Sequence, residues 1–324
     1  MIDQPETNVS KCRDLSITVL LLGLGMILLS TSVDGQDAAA TLKFRDSDVV
    51  IRAGANEIAR YVFKDQEIPR PYLCDVKAPT QFQVTRRHPP IPDVDATDHA
   101  TMHPGIWLAF GDLSGSDFWR NKATIQHVEF LANPQHEDEP ETLRERKLYL
   151  SKDGEVLCEE EFSLRVIVKD SGYLFEFDSI FTSDREFSFG DQEEMGLGVR
   201  AATQLAENAG GRMKSSRGLE SAKAIWGQPA EWCELSRVIE NDKVGFAIFC
   251  HRDNLRSSWM HARDYGLMTA NLFGREAMKQ GERSRIVVMP EEEFRLRYAV
   301  FVYAVKSDQT VDVERIYQDY LERN

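Results

Sequence analysis

The sequence lacks the short motifs that mark the commonest catalytic centres. It contains no GxxxxGK[ST] phosphate loop, no GxSxG nucleophile elbow and no HExxH zinc helix. The glycine pair in DQEEMGLGVR (191–200) does not have the spacing of a phosphate loop. No motif therefore requires a cofactor, and the sequence leaves the metal content open.

Cysteine is scarce, with five residues in a chain of 324, and none of them forms a CxxC pair. Cys12 lies near the N-terminus, and the other four, Cys74, Cys158, Cys233 and Cys250, are widely spaced. Three of these four lie in apolar runs typical of strands, where a buried free thiol is the common state. We predict free, buried cysteines, although an exported protein could also carry a disulfide.

Positive charge is scarce as well. The formal net charge is −14, and removal of residues 1–35 takes away two basic and four acidic residues, which leaves −12. No run rich in Lys or Arg offsets this charge locally, so the domain would repel a phosphate backbone. The composition argues against nucleic acid as a partner and favours a neutral or cationic small molecule, or a glycan.

One apolar segment stands out near the N-terminus. Residues 15–33 carry no charge, Lys11 and Arg13 precede them, and Asp34 and Asp37 follow. This charge order directs the C-terminal side outward, while the segment is long for a signal peptide and short for a spanning helix. We predict that 1–35 is a signal peptide or an N-terminal membrane anchor, with 15–33 as a potential membrane tether. Residues 36–324 would then form a single exported domain, which is periplasmic, extracellular or membrane-anchored and facing outward.

Apolar and polar residues alternate over much of the remaining chain. The segments 160–168 (EEFSLRVIV) and 293–305 (EFRLRYAVFVYAV) show a period of two, and a turn at 170–172 links the first to a second strand. Only 311–321 has helical spacing. The sequence therefore predicts an all-β fold, a large antiparallel two-sheet β-sandwich with a short C-terminal helix. Further candidate strands are 42–52, 56–63, 105–111, 124–131, 144–150, 195–202, 232–239, 243–250 and 266–273.

Long segments between the strands are candidates for function. The segment 64–104 is rich in Pro, Asp and His, 203–231 is rich in Gly, Ser and Ala, and 132–142 is an acidic tip. The densest group of reactive side chains lies in 98–119, at the end of the first of these segments and beyond it. It contains Asp98, His99, His103, Trp107 and Trp119.

Histidines and a carboxylate on a loop that enters a strand can transfer protons or bind a metal, and indole faces can stack on sugar rings. We predict His103 and Asp98 as catalytic groups, and His99, Trp107 and Trp119 as substrate-binding groups. The alternative is that the tryptophans belong to the core and the histidines form local hydrogen bonds.

A second group lies between two candidate strands. His251, Trp259, His261, Arg263 and Asn271 are its polar and aromatic members. Arginine and histidine together bind hydroxyl and carboxylate groups well. We predict His261 as a catalytic residue and the other four as substrate-binding residues, with a structural ion pair of Arg263 as the alternative.

A third candidate is the acidic pair that precedes the glycines of 191–200. Neighbouring residues on a strand point to opposite faces, so one glutamate of the pair would face a given pocket. We predict Glu194 as the acid/base partner of the histidines, with a surface position as the alternative.

Five ordered segments resemble a known family: RPYLCDV (70–76), DHATMHPGIWLAFGDLSGSDFW (98–119), EEMGLGVR (193–200), WGQPAEW (226–232) and HARDYGLMTANLFG (261–274). They are similar to a bacterial family of unknown function (DUF6807-type) labelled "methane oxygenase PmoA", over residues 41–305. The resemblance implies a sandwich like that of galactose mutarotases. The family pattern DHPHHRGLW reads DHATMHPGIW here, so His103 matches one histidine of a pair and the other is absent. This departure argues against a metal site built on both histidines.

Three functions follow from these observations. The first is an exported carbohydrate-active protein that applies acid/base chemistry to a sugar or sugar derivative. The second is a non-catalytic carbohydrate-binding module, and the third is the metal-dependent oxygenase that the family label implies. For the first function, we expect the acidic domain to raise the pKa values of His103 and His261 above about 6.5.

Overall fold

Strands make up nearly half of the described part of the chain, which is residues 38–131 and 142–323 of a computed structural model. The predicted leader and nearly all of the acidic tip lie outside these ranges. The strands are β1 Ala38–Ala39, β2 Thr41–Phe44, β3 Asp48–Ala53, β4 Asn56–Val62, β5 Tyr72–Cys74, β6 Ile106–Phe110, β7 Thr124–Phe130, β8 Thr142–Leu150, β9 Val156–Lys169, β10 Gly172–Thr182, β11 Phe187–Phe189, β12 Met195–Arg200, β13 Arg212–Ser215, β14 Pro229–Ala230, β15 Trp232–Ile239, β16 Asp242–Cys250, β17 Ser258–Arg263, β18 Leu267–Asn271, β19 Ile286–Val288 and β20 Phe294–Lys306. The α-helices are α1 Ala222–Ile225 and α2 Val313–Arg323, and Thr203–Leu205 and Glu207–Ala209 form 3-10 turns.

Two large antiparallel sheets contain nearly all of these strands. Sheet one has the order β13-β15-β16-β20-β10-β9-β8-β7, with β1 paired to β9. Sheet two has the order β14-β17-β18-β12-β6-β5-β4-β3-β2, and β11 and β19 form a small separate pair. The predicted all-β sandwich with a short C-terminal helix is confirmed.

The sheets bury one large apolar core, and α2 covers a second, smaller one. In sheet two, Ile106, Leu197, Met260 and Ala270 belong to the large core. The smaller core joins α2 to strands of sheet one, including Phe249. Because side chains alternate along a strand, the residues between the core positions of sheet two point to its opposite face.

The strand boundaries differ from the predicted ones where turn residues or burial on both faces interrupt the alternation. The predicted strand 42–52 is a hairpin of β2 and β3, closed by a hydrogen bond from the Arg45 amide to the Asp48 carbonyl at 2.8 Å. Strand β17 was not predicted, because five of its six residues are buried and the alternation is hidden. The four described cysteines are free and buried, as predicted.

Within the described ranges, no helix is both long and apolar enough to span a membrane. The predicted signal peptide or anchor at 1–35 lies outside those ranges and stays a prediction.

Candidate functional site

One row of residues crosses four strands of sheet two on the face opposite Ile106, Leu197, Met260 and Ala270. Trp107 pairs with Gly198, Gly198 with Thr269, and Thr269 with His261. Positions two residues along the strands, such as Arg200 and Arg263, share this face. We call it the polar face, defined by Trp107, Gly198, Arg200, Thr269, His261 and Arg263.

Gly198 is required where two indoles cover the polar face. A Cβ atom at this position would lie 2.7 Å from Cζ2 of Trp107 and 2.8 Å from Cη2 of Trp119. Both indoles are fully buried, so neither can move aside freely. The glycine of the EEMGLGVR motif thus creates the space that the two tryptophans occupy.

Substitution of this glycine tests the arrangement. We expect Gly198→Ala to lower the free energy of unfolding by about 1–3 kcal/mol, the usual cost of overpacking a core. Urea unfolding measures this change. The double variant Gly198→Ala/Trp119→Phe should recover part of the loss, because the smaller ring vacates the site. A single variant as stable as the native protein would contradict this packing.

Four aromatic rings form a continuous stack at one end of the polar face. Tyr265 stacks on His99 at 6.4 Å between ring centroids, His99 on His103 at 5.0 Å, and His103 on Trp107 at 5.2 Å. His103 is fully buried, whereas the side chain of His99 is 45% exposed. The stack therefore runs from the buried floor of the site to its solvent-exposed edge.

Two buried arginines hold the loop that carries this stack. The Arg86 guanidinium donates hydrogen bonds to the carbonyls of Ala96, Asp98, His99 and His103. Arg70 donates to the carbonyls of Phe118, Trp119 and Met102. Burial lowers the pKa of Arg86 to about 10 and that of Arg70 to about 9, so both remain charged at neutral pH. These bonds order the ends of the long predicted loop 64–104.

Asp98 and His99 form one carboxylate–imidazole couple. Nδ1 of His99 lies 2.9 Å from Oδ2 of Asp98, and Nη2 of Arg200 donates to Oδ1 of Asp98 at 2.7 Å. Burial raises the pKa of Asp98, but the hydrogen bonds from His99 and Arg200 outweigh it and lower the pKa to about 2. The carboxylate therefore stays ionised and orients the His99 ring, as a carboxylate does in a catalytic triad.

His261 and Glu193 form a second couple. Nδ1 of His261 lies 3.1 Å from the carbonyl oxygen of Glu193, which can only accept, so the neutral ring carries its proton on Nδ1. Nε2 is then unprotonated and lies 3.5 Å from Oε1 of Glu193. The same carboxylate oxygen accepts hydrogen bonds from Arg263 and from Nε1 of Trp226.

The pKa values of both predicted catalytic histidines are lowered, contrary to our expectation. Burial, together with Arg200, His99 and Arg86, lowers the pKa of His103 to about 2. Burial lowers the pKa of His261 to about 4, although Glu193 opposes the shift. The net charge of the domain does not decide these values, because desolvation disfavours the charged form of a buried imidazole more strongly.

Glu194 is the third acid of the site. It forms an ion pair with Arg120, and its side chain is 19% exposed. Burial raises its pKa, although Arg120 and His99 oppose the shift. Both Glu193 and Glu194 precede β12 in a bend, so the alternation rule that assigned only one of them to the pocket does not apply there.

Four charged groups of the site act on Tyr265. Burial raises the pKa of its phenol, Arg200 and Arg263 lower it, and Asp98 and Glu194 raise it again. The guanidinium carbon of Arg200 lies 4.4 Å from the centroid of the Tyr265 ring. Asp98, Glu194 and Arg200 therefore lie around the same ring as Arg263, which pairs with Glu193 of the second couple.

His103 and His261 share the polar face but not a hydrogen bond. His103 stacks on Trp107. Three strand-to-strand steps separate Trp107 from His261 in the cross-strand row. At about 4.8 Å per step, the two backbones are about 14 Å apart. The indole of Trp107 extends over Gly198 and shortens the gap. At this separation the two histidines do not act on the same atom of a ligand, and His103 lies fully buried in the floor of the site.

Several predicted binding residues have other positions or tasks in the structure. His251 lies beside α2, where its ring contacts Tyr320 at 5.4 Å, so it is not part of the polar face. Trp107 and Trp119 contact each other at 5.0 Å and are buried, so they form the floor beneath His103 rather than open stacking surfaces. Trp259 shares the polar face and is 9% exposed.

Asn271 positions the acidic pair. Its Nδ2 donates to the carbonyls of Gln192 and Glu193, at 2.8 and 3.0 Å, and its Oδ1 accepts from the amides of Phe273 and Gly274. Both the nitrogen and the oxygen of the Asn271 side chain therefore bind main-chain groups. Few of its hydrogen bonds remain for the substrate contact that we predicted.

Sequence reasoning did not select Glu193, Arg200, Trp226 or Tyr265 as site residues, although each lies in one of the five motif segments. Glu193 and Arg200 flank the glycines, and Tyr265 lies in HARDYGLMTANLFG. The motif segments therefore contained the site residues, but the sequence did not indicate which residues of each segment face the site.

The residues of the site do not form a metal centre. In the ranges 38–131 and 142–323, no three His, Cys, Asp or Glu side chains converge closely enough to hold a metal ion. The two ring nitrogens of His103 are buried without a hydrogen-bond partner in those ranges.

A model of a family described as "Family of unknown function (DUF6807)" matches residues 48–317 of the chain. No curated protein matches the chain. The family description names no activity, so the methane-oxygenase label stays a prediction.

Several solved structures are similar to the chain. The galactose mutarotase related enzyme of Lactobacillus acidophilus is 10% identical, with a TM-score of 0.38, over 84% of this chain and 99% of that one. A galactose mutarotase-like protein from Lactobacillus casei is 8% identical, with a TM-score of 0.36, over 82% and 100%. The α-galactosidase AgaB of Geobacillus stearothermophilus is 13% identical, with a TM-score of 0.42, over 84% of this chain and 41% of that one.

Proposed function

The chain belongs to this family of unknown function (DUF6807), and we propose that it is a carbohydrate-active protein that applies acid/base chemistry to a sugar. The observation that carries the proposal is the presence of two carboxylate–imidazole couples around Tyr265 on one sheet face. Asp98 with His99 is one couple, and Glu193 with His261 is the other.

The pKa shifts assign a base and an acid. His261 is neutral above about pH 4, and its Nε2, which is buried without a hydrogen-bond partner among the described residues, is the nitrogen that would take a proton from the substrate. The nearby Glu193 carboxylate stabilises the imidazolium that forms. Glu194, whose pKa is raised by burial, holds a proton to higher pH than a free glutamate and can give it to the opposite side of the substrate. Such divergent shifts distinguish acid from base within one site.

The accessible groups suit a polyhydroxylated ligand. The side chains of Asp98, His99, Glu193 and Arg263 are each between one-third and one-half exposed, and together they offer donors and acceptors. Tyr265 and Trp226 are partly exposed rings at the edge of the same site, on which the C–H face of a sugar can stack. A site lined by charged groups around a few rings favours a sugar over an apolar ligand.

We also propose that the protein is exported, which rests on the uncharged segment 15–33 and its flanking charges. A glycan outside the cytoplasm is the ligand class that this location would offer.

A screen of sugars tests the proposed function. The full-length chain is incubated with mono- and oligosaccharides at several pH values above about 4, where His261 is neutral, and products are followed by NMR. We expect anomer exchange, epimerisation, elimination or cleavage of at least one sugar. Binding without product after long incubation would replace this proposal by the binding module. Stoichiometric iron or copper in the purified protein would favour the oxygenase.

A further inference from the structure

The charge of the site is unlike that of the whole domain. Three guanidinium groups, those of Arg70, Arg86 and Arg200, lie close to His103, and each residue is at most 3% exposed. Within the described ranges, Asp98 is the one carboxylate that forms an ion pair with any of them. Three buried cations with one shared anion leave an excess of positive charge, although the chain as a whole has a net charge of −14.

The three arginines differ in how far their donors are used. Arg86 and Arg70 donate to backbone carbonyls of the loop, as described above. Arg200 donates to Asp98 through Nη2, and its Nε and Nη1 have no hydrogen-bond partner among the described residues. An unpaired buried donor on a charged group is costly, so an anion that reached Arg200 would be bound strongly.

The surroundings of Arg200 identify it as part of the site. It shares the polar face with His261 and stacks on Tyr265. Its two unpaired nitrogen atoms are buried. The Asp98 carboxylate that Nη2 contacts is 40% exposed, and the neighbouring His99 is 45% exposed. An anion that displaced the part-exposed Asp98 carboxylate would pair with Arg200.

We propose that the sugar carries an anionic group, a carboxylate or a phosphate, and that Arg200 binds that group. This inference rests on the proposed function and adds the substrate class. Arginine pairs with carboxylate and phosphate oxygens better than any other side chain. The anionic group would lie at the Arg200 end of the site, and the reacting carbon would lie towards His261 and Glu194. The net charge of the chain predicted a neutral or cationic ligand, but the local charge reverses that expectation.

Matched sugars test the proposal. Galacturonate and galactose differ at carbon 6 only, as do glucuronate, glucose and glucose 6-phosphate. Isothermal titration of the full-length chain should show that one acidic sugar binds about tenfold or more tightly than its neutral partner, as expected for a charge-assisted hydrogen bond. A preference for galacturonate or glucuronate would identify a carboxylate as the anionic group, and a preference for glucose 6-phosphate would identify a phosphate.

Two variants with opposite expected effects identify the binding group. Arg200→Gln should reduce the preference for the acidic sugar to less than about threefold, because the charge-assisted bond is lost. Asp98→Asn should tighten binding of the acidic sugar, because the carboxylate that competes for Arg200 is gone. Arg297→Gln is the matched control, since this arginine pairs with Asp253 outside the polar face, and it should leave the preference unchanged.

The outcomes separate this inference from the proposed function. Binding of neutral and acidic sugars with equal affinity would overturn the anionic substrate alone. A preference that persists in Arg200→Gln, or weaker binding of the acidic sugar by Asp98→Asn, would overturn the role of Arg200. If none of the acidic or neutral sugars bound, the proposed function itself would fail.

Discussion

Replacement of Glu193 by glutamine should lower turnover of an identified sugar by about 10²–10⁴-fold, the usual contribution of a positioned acid/base group. The carboxylate has three neighbours on one oxygen: Arg263, Trp226 and Nε2 of His261. Glutamine keeps the size of the side chain but removes the charge that stabilises an imidazolium at His261. The loss should appear in kcat rather than in KM, because the charge matters most when the proton has been transferred.

Steady-state kinetics of four variants complete this test. His261→Gln should show a loss similar to that of Glu193→Gln, and the double variant should lose little more, since the two groups act as a unit. Glu231→Gln removes a carboxylate that is held by Ser216 and Arg217 outside the polar face, and it should leave turnover nearly unchanged. A Glu193→Gln protein with native kcat would exclude the couple from the chemistry.

Stability should fall steeply as the pH is lowered from about 6.5 to 4. His103 and His261 are neutral in the folded protein, with pKa values of about 2 and 4, whereas in the unfolded chain each titrates near 6.5. Between the folded and the unfolded pKa values, the unfolded state binds more protons than the folded state. The free energy of unfolding therefore increases with pH and decreases on acidification. Each histidine contributes roughly 1.4 kcal/mol per pH unit in this window, which is large against a total of about 5–15 kcal/mol.

Urea unfolding at several pH values measures this slope. His261→Gln should flatten the curve between pH 6.5 and 4, because its histidine no longer titrates in the unfolded chain. Val302→Ala, a truncation in the core, should lower the whole curve without changing its slope. Asp98 acts at lower pH: its folded pKa of about 2 is depressed, so its contribution is lost only as the pH falls below about 3.8. A native free energy of unfolding that is constant from pH 6.5 to 4 would show that these histidines are not buried as neutral groups.

The limits of the sequence appear most clearly at His103. The sequence placed it beside Asp98, His99 and Trp107, and the structure brings the four together. It could not show that His103 would be fully buried and flanked by Arg86 and Arg200, which come from other parts of the chain. Solvent exposure and long-range charge decide a pKa, and neither is encoded in the local order of residues.

The same distinction holds for the acid partner of His261. The choice between Glu193 and Glu194 depended on a strand that begins only at Met195, and the structure gives each glutamate a different arginine. The two indoles were predicted as open surfaces, but Gly198, which lies in another motif, admits them into the core. Both outcomes depend on pairing between strands that are far apart in sequence.

The sequence by itself determined the all-β class, the C-terminal helix, the buried free cysteines and the segments in which the site residues lie. These properties follow from alternation, helical spacing and composition, which act over a few neighbouring residues. Only the tertiary structure decided which members of those segments meet on the polar face, which histidines stay neutral and where positive charge accumulates. Those properties depend on cross-strand register and on burial, because the register selects the neighbours of each side chain and burial sets the cost of its charge.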